Sequence, residues 1–255
     1  MKPAMLEVSE LGHTYGAGAR AHTAIDEVSF RVDAGEIVCV VGPSGCGKST
    51  LLKSLAGLHR ATKGDVRLHG KKVNGVPRDL AVVFQDYSRS LFPWLNVLSN
   101  VEFPLRGSSL SKAQRRERAV EALSWVGLSK AAKKHPWQLS GGMQQRVSIA
   151  RALAYRPALM LMDEPFASVD AQTRAELEDL VLRMRDEHDM TILVVTHDID
   201  ESVYLADRVL VLSTAPTTVV DTLKVELPRQ RDQITTRASN EFVHLRSEVA
   251  RLLRR

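Results

Sequence analysis

The sequence predicts an α/β fold built around a largely parallel sheet, and three features predict it. Glu36-Ile37-Val38-Cys39-Val40-Val41 is an apolar run without polar alternation that leads directly into a glycine-rich turn. Leu159-Met160-Leu161-Met162 and Thr191 to Thr196 share that texture. Between them, Arg174 to His188 is helical in composition. Uninterrupted apolar runs suit strands covered on both faces, and strand–helix–strand alternation supplies the cover.

Ahead of the first run the pattern differs. Leu6 to Leu11 sets Leu6, Val8 and Glu10 against Glu7, Ser9 and Leu11. Gly16-Ala17-Gly18-Ala19 then turns the chain, and Ile25 to Val32 alternates again before Ala34-Gly35. These segments predict antiparallel strands. A helix is expected from Ser49 to Leu58, ended by Gly57 or the turn after it, and a short strand from Leu80 to Phe84. Ser111 followed by Gln114 reads as a capping box, opening a helix with Val120, Leu123 and Val126 on one face. Residues 86–156 are therefore expected to form a mostly helical insertion within a domain spanning 1–227. In the basic tail, 228–255, Phe242, Leu245, Val249 and Leu252 or Leu253 recur at helical spacing among arginines. An amphipathic helix packed on its own domain explains them, and a basic face near anionic lipid is the alternative.

With 255 residues the chain can form one large α/β domain or two small ones. Hydrophobic residues at 44% and charged residues at 25% exclude collagen-like, coiled-coil and disordered classes. The net charge of +5 comes largely from the tail, where seven arginines face three acids between Arg229 and Arg255. Charge therefore makes no case for nucleic acid. No apolar run approaches the roughly 20 residues of a membrane helix, and no basic-then-apolar leader precedes Leu6. A soluble, cytosolic protein is expected. Cys39 and Cys46 form neither a disulfide framework nor a CxxC pair, so reduced thiols are expected.

Gly42-Pro43-Ser44-Gly45-Cys46-Gly47-Lys48-Ser49 satisfies GxxxxGKS between a buried strand and a helix. Glycines let backbone N–H groups turn inward around a polyphosphate. Lys48 supplies charge to the outer phosphates, Ser49 a hydroxyl to Mg²⁺, and the following helix its positive end. Asp163-Glu164 ends an apolar strand at the sheet edge where ligands of such folds gather. Asp163 is placed to hold Mg²⁺, and Glu164 to polarise a water in line with the terminal phosphate. Cys46, inside the phosphate loop beside Lys48, is expected to favour thiolate. Its alkylation should then abolish turnover.

Leu139-Ser140-Gly141-Gly142-Met143-Gln144-Gln145-Arg146 precedes a helical run through Ala154. With the two motifs above, LSGGMQQR resembles the nucleotide-binding subunit of ABC transporters, from Leu6 to about Leu212 and in the family's order. That resemblance implies a P-loop NTPase of the ABC type. Its parts would be a RecA-like mixed-sheet core, an antiparallel β subdomain and a helical signature subdomain. The resemblance implies that Tyr15 stacks on adenine and that Gly42 to Ser49, with Thr50, bind ATP. Gln85 resembles the glutamine that touches Mg²⁺ or the attacking water and senses the membrane partner. Ser140, Gly141 and Gly142 would bind the γ phosphate of ATP held by the other protomer. Ser168-Val169-Asp170 resembles the D-loop that crosses the dimer, with Val169 where the family usually has Leu. His197 resembles the switch histidine on the γ phosphate. A Ser-Gly-Gly at a helix N-terminus is itself an anion site, so two phosphate-seeking sites per chain suit a head-to-tail pair sharing two ATPs.

Phe84-Gln85-Asp86-Tyr87-Ser88-Arg89-Ser90-Leu91-Phe92-Pro93-Trp94-Leu95-Asn96-Val97 resembles the segment that docks a permease coupling helix. Taken with the run from Met162 to Arg174, it is similar to importers of nitrate, sulfonate, taurine and related oxyanions. The expectation is an ATPase subunit peripheral to the cytoplasmic face of the inner membrane. Its partners would be transmembrane permease subunits, a second ATPase copy and, indirectly, a periplasmic or extracellular solute-binding protein, with no nucleic acid. A non-transport ABC ATPase (translation, repair or cluster assembly) and an exporter subunit are the alternatives.

Overall fold

The computed structural model describes residues 3–86 and 90–254. Among them, β1 (Ala4–Tyr15), β2 (His22–Asp33), β4 (Lys63–Leu68) and β5 (Lys71–Lys72) form an antiparallel sheet ordered β2-β1-β4-β5. The larger sheet is ordered β10-β9-β3-β8-β7-β6. It comprises β3 (Ile37–Val41), β6 (Leu80–Val83), β7 (Leu159–Asp163), β8 (Thr191–Thr196), β9 (Arg208–Leu212) and β10 (Val219–Lys224). Its pairings are parallel except for β9 with β10.

The sheet is buried on both faces. Ile37, Cys39 and Val41 point into one apolar layer with Met160, Met162, Ile192 and Val194. Val38 and Val40 point into the other with Leu161, Leu193 and Val195. Every residue of β3, β7 and β8 is buried, at roughly 1.5–3 kcal/mol for each large apolar side chain. The first layer is closed by helices. The second is closed by α1 (Lys48–Leu55) and by the antiparallel sheet, whose Leu6, Val8 and Leu11 lie in it.

Strict alternation in β1 would place Leu11 opposite Leu6, yet both are fully buried. The pairing with β2 shifts register between Val8 and Leu11, and Glu10 takes a left-handed φ of 48°. This bulge returns Leu11 to the inner face.

Between β6 and β7 lie α2 (Val97–Glu102), α3 (Lys112–Trp125) and α4 (Gly141–Tyr155). The α3 capping box is present, with Gln114 N donating to Ser111 Oγ at 3.3 Å and Ser111 N to Gln114 Oε1 at 2.9 Å. Its buried stripe is Ala119, Ala122, Leu123 and Val126, whereas Val120 is exposed. A helix face follows i, i+3, i+4, i+7, so steps of three from Val120 drift off it. After α5 (Ala171–His188) and α6 (Ile199–Leu205), the tail helix α7 (Asn240–Leu252) buries Phe242, Val249 and Leu252 in the first layer. Leu245 and Leu253 are partly buried against it.

Asn100 of α2 is fully buried and holds the Phe92–Asn96 loop. Its Oδ1 accepts from Phe92 N at 2.8 Å, and its Nδ2 faces the carbonyls of Phe92, Leu95 and Asn96 at 3.0–3.1 Å. Asn100→Ala would strand these buried groups, at about 1–3 kcal/mol. Urea unfolding should show that loss, and an unchanged midpoint would mean the loop is held by its aromatics alone.

Candidate nucleotide site

Residues 42–47 leave the carboxyl end of β3 and enter α1, with φ of 76° at Gly45 and 104° at Gly47. Any other residue at Gly47 would be strained, and its Cβ would lie 3.2 Å from Ala24 O. Lys48 is buried, and its Nζ donates to the carbonyls of Gly42 at 2.8 Å and Pro43 at 2.9 Å. The ammonium is thereby held over its own loop. Pro43 O also accepts from Cys46 N at 3.3 Å, and Ser44 is exposed. Thr217, fully buried in the β9–β10 connection, donates its hydroxyl to Cys46 O and pins the loop from outside the motif.

Cys46 does not behave as its position in the motif suggests. Its side chain is 2% exposed and packs in the second apolar layer with Val40 and Leu51. Burial pushes the thiol up, outweighing the pull of the Lys48 charge and of the loop N–H groups. The expected thiolate is overturned; Cys46 serves the loop through its main chain.

At the end of β7, Asp163 is buried, and its Oδ1 accepts from Ser49 Oγ at 3.4 Å. Burial raises the Asp163 carboxyl, the Ser49 hydrogen bond lowers it, and the neighbouring Glu164 charge raises it again. Glu164 has a left-handed φ of 43°, held by its N–H donating to Val195 O at 2.8 Å. Such a conformation costs about 1–3 kcal/mol and persists where its surroundings impose it. Here it presents the carboxylate to two partners. Gln85 Nε2 donates to Glu164 Oε2 at 2.9 Å, and His197 Nδ1 lies 3.2 Å from the same oxygen. Gln85, Glu164 and His197 follow β6, β7 and β8, which are neighbours in the sheet.

Ser140, Gly141, Gly142 and Asp170 form a second group. Ser140 caps α4 by accepting from Met143 N at 3.3 Å. Asp170 caps α5, accepting from Thr173 N at 3.0 Å and Thr173 Oγ1 at 2.7 Å. These bonds hold the Asp170 carboxyl below its ordinary range. The two helix starts touch: a Cβ on Gly142 would lie 2.3 Å from Thr173 Cγ2. No hydrogen bond joins Ser140 or Asp170 to the Lys48 loop among the described residues. Instead, fully buried Gln145 of α4 donates to Pro165 O at 2.6 Å, tying this group to the turn after Glu164.

Tyr15 ends β1 and is 41% exposed. Its hydroxyl lies 3.0 Å from Thr50 Oγ1 and 3.3 Å from His59 Nδ1, and its ring sits edge-on to His13 at 4.5 Å. Burial, then the charges of His13 and Lys53, hold the His59 imidazole below its ordinary range. Sequence reasoning missed Thr217, Gln145 and His59. Gln145 lay within the signature motif, where burial alone separates it from its neighbours; the other two carry no motif.

This fold and site define a P-loop ATPase: a lysine-bearing phosphate loop and a strand-end carboxylate pair on one sheet edge. The ABC transporter family profile matches residues 25–167. The chain is 43% identical to an uncharacterised ABC transporter ATP-binding protein of Methanocaldococcus jannaschii, over 98% of this chain and 91% of the relative. An aliphatic sulfonates import ATP-binding protein of Xanthomonas axonopodis pv. citri is 45% identical, over 87% of each chain. The nitrate transport protein NasD of Klebsiella oxytoca is 39% identical, over 99% of this chain and 97% of its own. Among solved structures, a dimeric ATP-binding cassette in a post-hydrolysis state with ADP and Pi superposes with a TM-score of 0.77. It is 34% identical, over 88% of this chain and 100% of that one. The chain belongs to the ABC transporter family, and it is an ATPase subunit of that family.

ATP and Mg²⁺ are the cofactors of such ATPases, and the residues present fit them. The positive-φ glycines and buried Lys48 suit a polyphosphate. Ser49, Asp163 and Gln85 offer only oxygen donors to a metal, as suits an ion that keeps waters and binds through one or two carboxylates plus phosphates.

With its thiol neutral and enclosed, Cys46 should resist modification. Ellman's reagent at pH 8 should release no thiol signal from the folded protein and that of both buried cysteines, Cys39 and Cys46, after denaturation. Rapid labelling of native Cys46 with loss of ATP binding would restore the thiolate.

Proposed function

We propose that this chain is the ATP-hydrolysing subunit of an importer for a small oxyanionic solute of the nitrate, sulfonate or taurine type. The observation that carries the catalytic part is the Glu164 carboxylate, held by Gln85 and facing His197 beside the Lys48 loop. The solute class rests on relatives named for aliphatic sulfonate, nitrate, bicarbonate and taurine transport, at 38–45% identity.

In this reading the loop N–H groups and Lys48 bind the triphosphate, and Tyr15 and Thr50 border the base and the first turn of α1. Glu164 accepts the proton of the attacking water. Gln85 and His197 orient Glu164 and reach the water and the γ phosphate. Mg²⁺, when bound at Ser49, Asp163 and Gln85, supplies charge neutralisation on the phosphates. Ser140, Gly141 and Gly142 close on the nucleotide of a second copy, with Asp170 crossing the same interface. Two copies thereby complete two sites, as suits a group with no hydrogen bond to its own Lys48 loop among the described residues.

The membrane partner is a permease pair, served in turn by a solute-binding protein outside the membrane, and the chain sits peripherally on the cytoplasmic face. No nucleic acid enters this reading. No helix among the described residues is long and apolar enough to cross a membrane. An aromatic cluster supports the docking role of the segment after Gln85. Trp94 is 71% exposed, its ring 5.4 Å from Phe92, and Phe92 lies 4.5 Å from the exposed Phe103. Exposed aromatics on a loop braced by Asn100 are the kind of anchor interfaces use. Tyr87, Ser88 and Arg89 of that segment lie outside the described residues.

Glu164→Gln should keep ATP binding and slow hydrolysis by roughly 10²- to 10⁴-fold, while trapping an ATP-dependent dimer on size exclusion. A variant that stays monomeric at saturating ATP, with and without its permease, contradicts the shared site. Ser140→Arg should abolish ATPase activity and leave nucleotide affinity intact by fluorescence titration; full turnover would remove Ser140 from the mechanism.

A further inference from the structure

Behind His197 lies a network of buried polar groups that the catalytic reading leaves unused. His197 leads into α6, a helix of two turns that is gripped at both ends. At its start, Asp198 Oδ1 accepts from Glu201 N at 3.1 Å, and Asp198 N donates to Thr196 Oγ1 at 3.0 Å. Arg174 of α5 donates to the other Asp198 oxygen at 3.3 Å. At its end, the Arg231 guanidinium donates to the carbonyls of Val203 at 3.4 Å, Tyr204, and Ala206 at 2.8 Å. Those carbonyls lie at the helix terminus, where intrahelical partners run out and a cation suits the dipole.

Arg231 comes from the C-terminal tail, which grips the neighbourhood of α6 a second time. Gln233 Nε2 donates to Asp179 Oδ1 at 2.8 Å and to Glu178 Oε2 at 3.0 Å. Arg237 Nη2 donates to Glu178 Oε2 at 2.7 Å, and its guanidinium lies 4.6 Å above the Tyr204 ring. Tyr204 of α6 donates in turn to Asp179 Oδ1 at 2.8 Å. Glu178 and Glu201 are buried to 1% and 4% exposure. Burial brings Arg231 down to about 10, so it stays charged at neutral pH.

We propose that Arg231 and Arg237 are positioning residues for His197: the tail fixes α6 along its axis and thereby holds the imidazole against Glu164. A helix this short does not hold itself and takes its position from its contacts. Phe242, Val249 and Leu252 would suffice to pack the tail, but apolar surfaces permit sliding. Charge-assisted hydrogen bonds to main-chain carbonyls are directional and fix position along the axis. Only Asp198 separates His197 from Ile199, so an axial shift of α6 is passed on to the ring.

The inference rests on the reading of His197, and the test separates the two. In the full-length chain, His197→Ala should first show impaired turnover; full turnover there overturns the His197 assignment. Arg231→Gln should lower kcat by on the order of 10- to 100-fold, as misplacement by an ångström does. The KM for ATP should stay within about twofold, because the phosphate loop is untouched. Added to His197→Ala, Arg231→Gln should change kcat less than about twofold, because the two act through one group. Multiplying losses, or full turnover in Arg231→Gln, would overturn the proposal. If Arg231→Gln fails to fold, Arg237→Gln takes its place in the same cycle under the same criteria.

Discussion

Four parallel strand ends, level to within a residue or two, are the constraint on which this protein's chemistry depends. Val41 pairs opposite Thr196, Asp163 opposite Val195, and Val83 opposite Met162. In the order β3-β8-β7-β6 the chain therefore leaves the sheet at one edge four times. It does so as the Lys48 loop, as His197, as Asp163-Glu164 and as the approach to Gln85. Burial on both faces makes the register stiff, since a one-residue slip would exchange every side chain between the two apolar layers.

That stiffness lets the edge hold groups that a softer scaffold would release. Lys48 and Asp163 are both buried, and a lone buried charge is costly. The ammonium is met by two loop carbonyls and the carboxylate by a hydroxyl, so both stay in place ahead of any ligand. Glu164 stores backbone strain at the same edge, balanced by its bond to β8. Cys46 shows the other side of this economy. A side chain at the loop's inner turn is drawn into the apolar layer, and the motif uses only its backbone.

The helix starts at Ser140 and Asp170 obey a different logic. Ser140 and Asp170 are N-caps of two helices whose starts touch through Gly142 and Thr173, with no room for a side chain between them. The Gln145–Pro165 bond ties these helix starts to the strand end that carries Asp163 and Glu164, and the tail adds a comparable hold on the helix behind His197.

Much of this was legible in the residues. The unalternating runs marked the doubly covered strands, because only burial on both faces tolerates them. GxxxxGKS, the Asp163-Glu164 pair and the Ser111-Gln114 box each carry their mechanism in local spacing, whereas LSGGMQQR was read through its resemblance to a family motif. What stayed hidden was decided by long-range packing. The inner face of α3 kept Leu123 and Val126 but took Ala119 in place of Val120, the β1 bulge turned Leu11 inward, and burial held the Cys46 thiol neutral. Thr217 and Arg231 became structural partners without any motif, and Gln145 was told apart from its motif neighbours only by burial. Local order along the chain determined which chemistry is present and where strands and helices begin. The tertiary fold alone decided that Gln85, Glu164 and His197 meet, because the order of strands in a sheet is set by contacts between segments and is written in none of them singly.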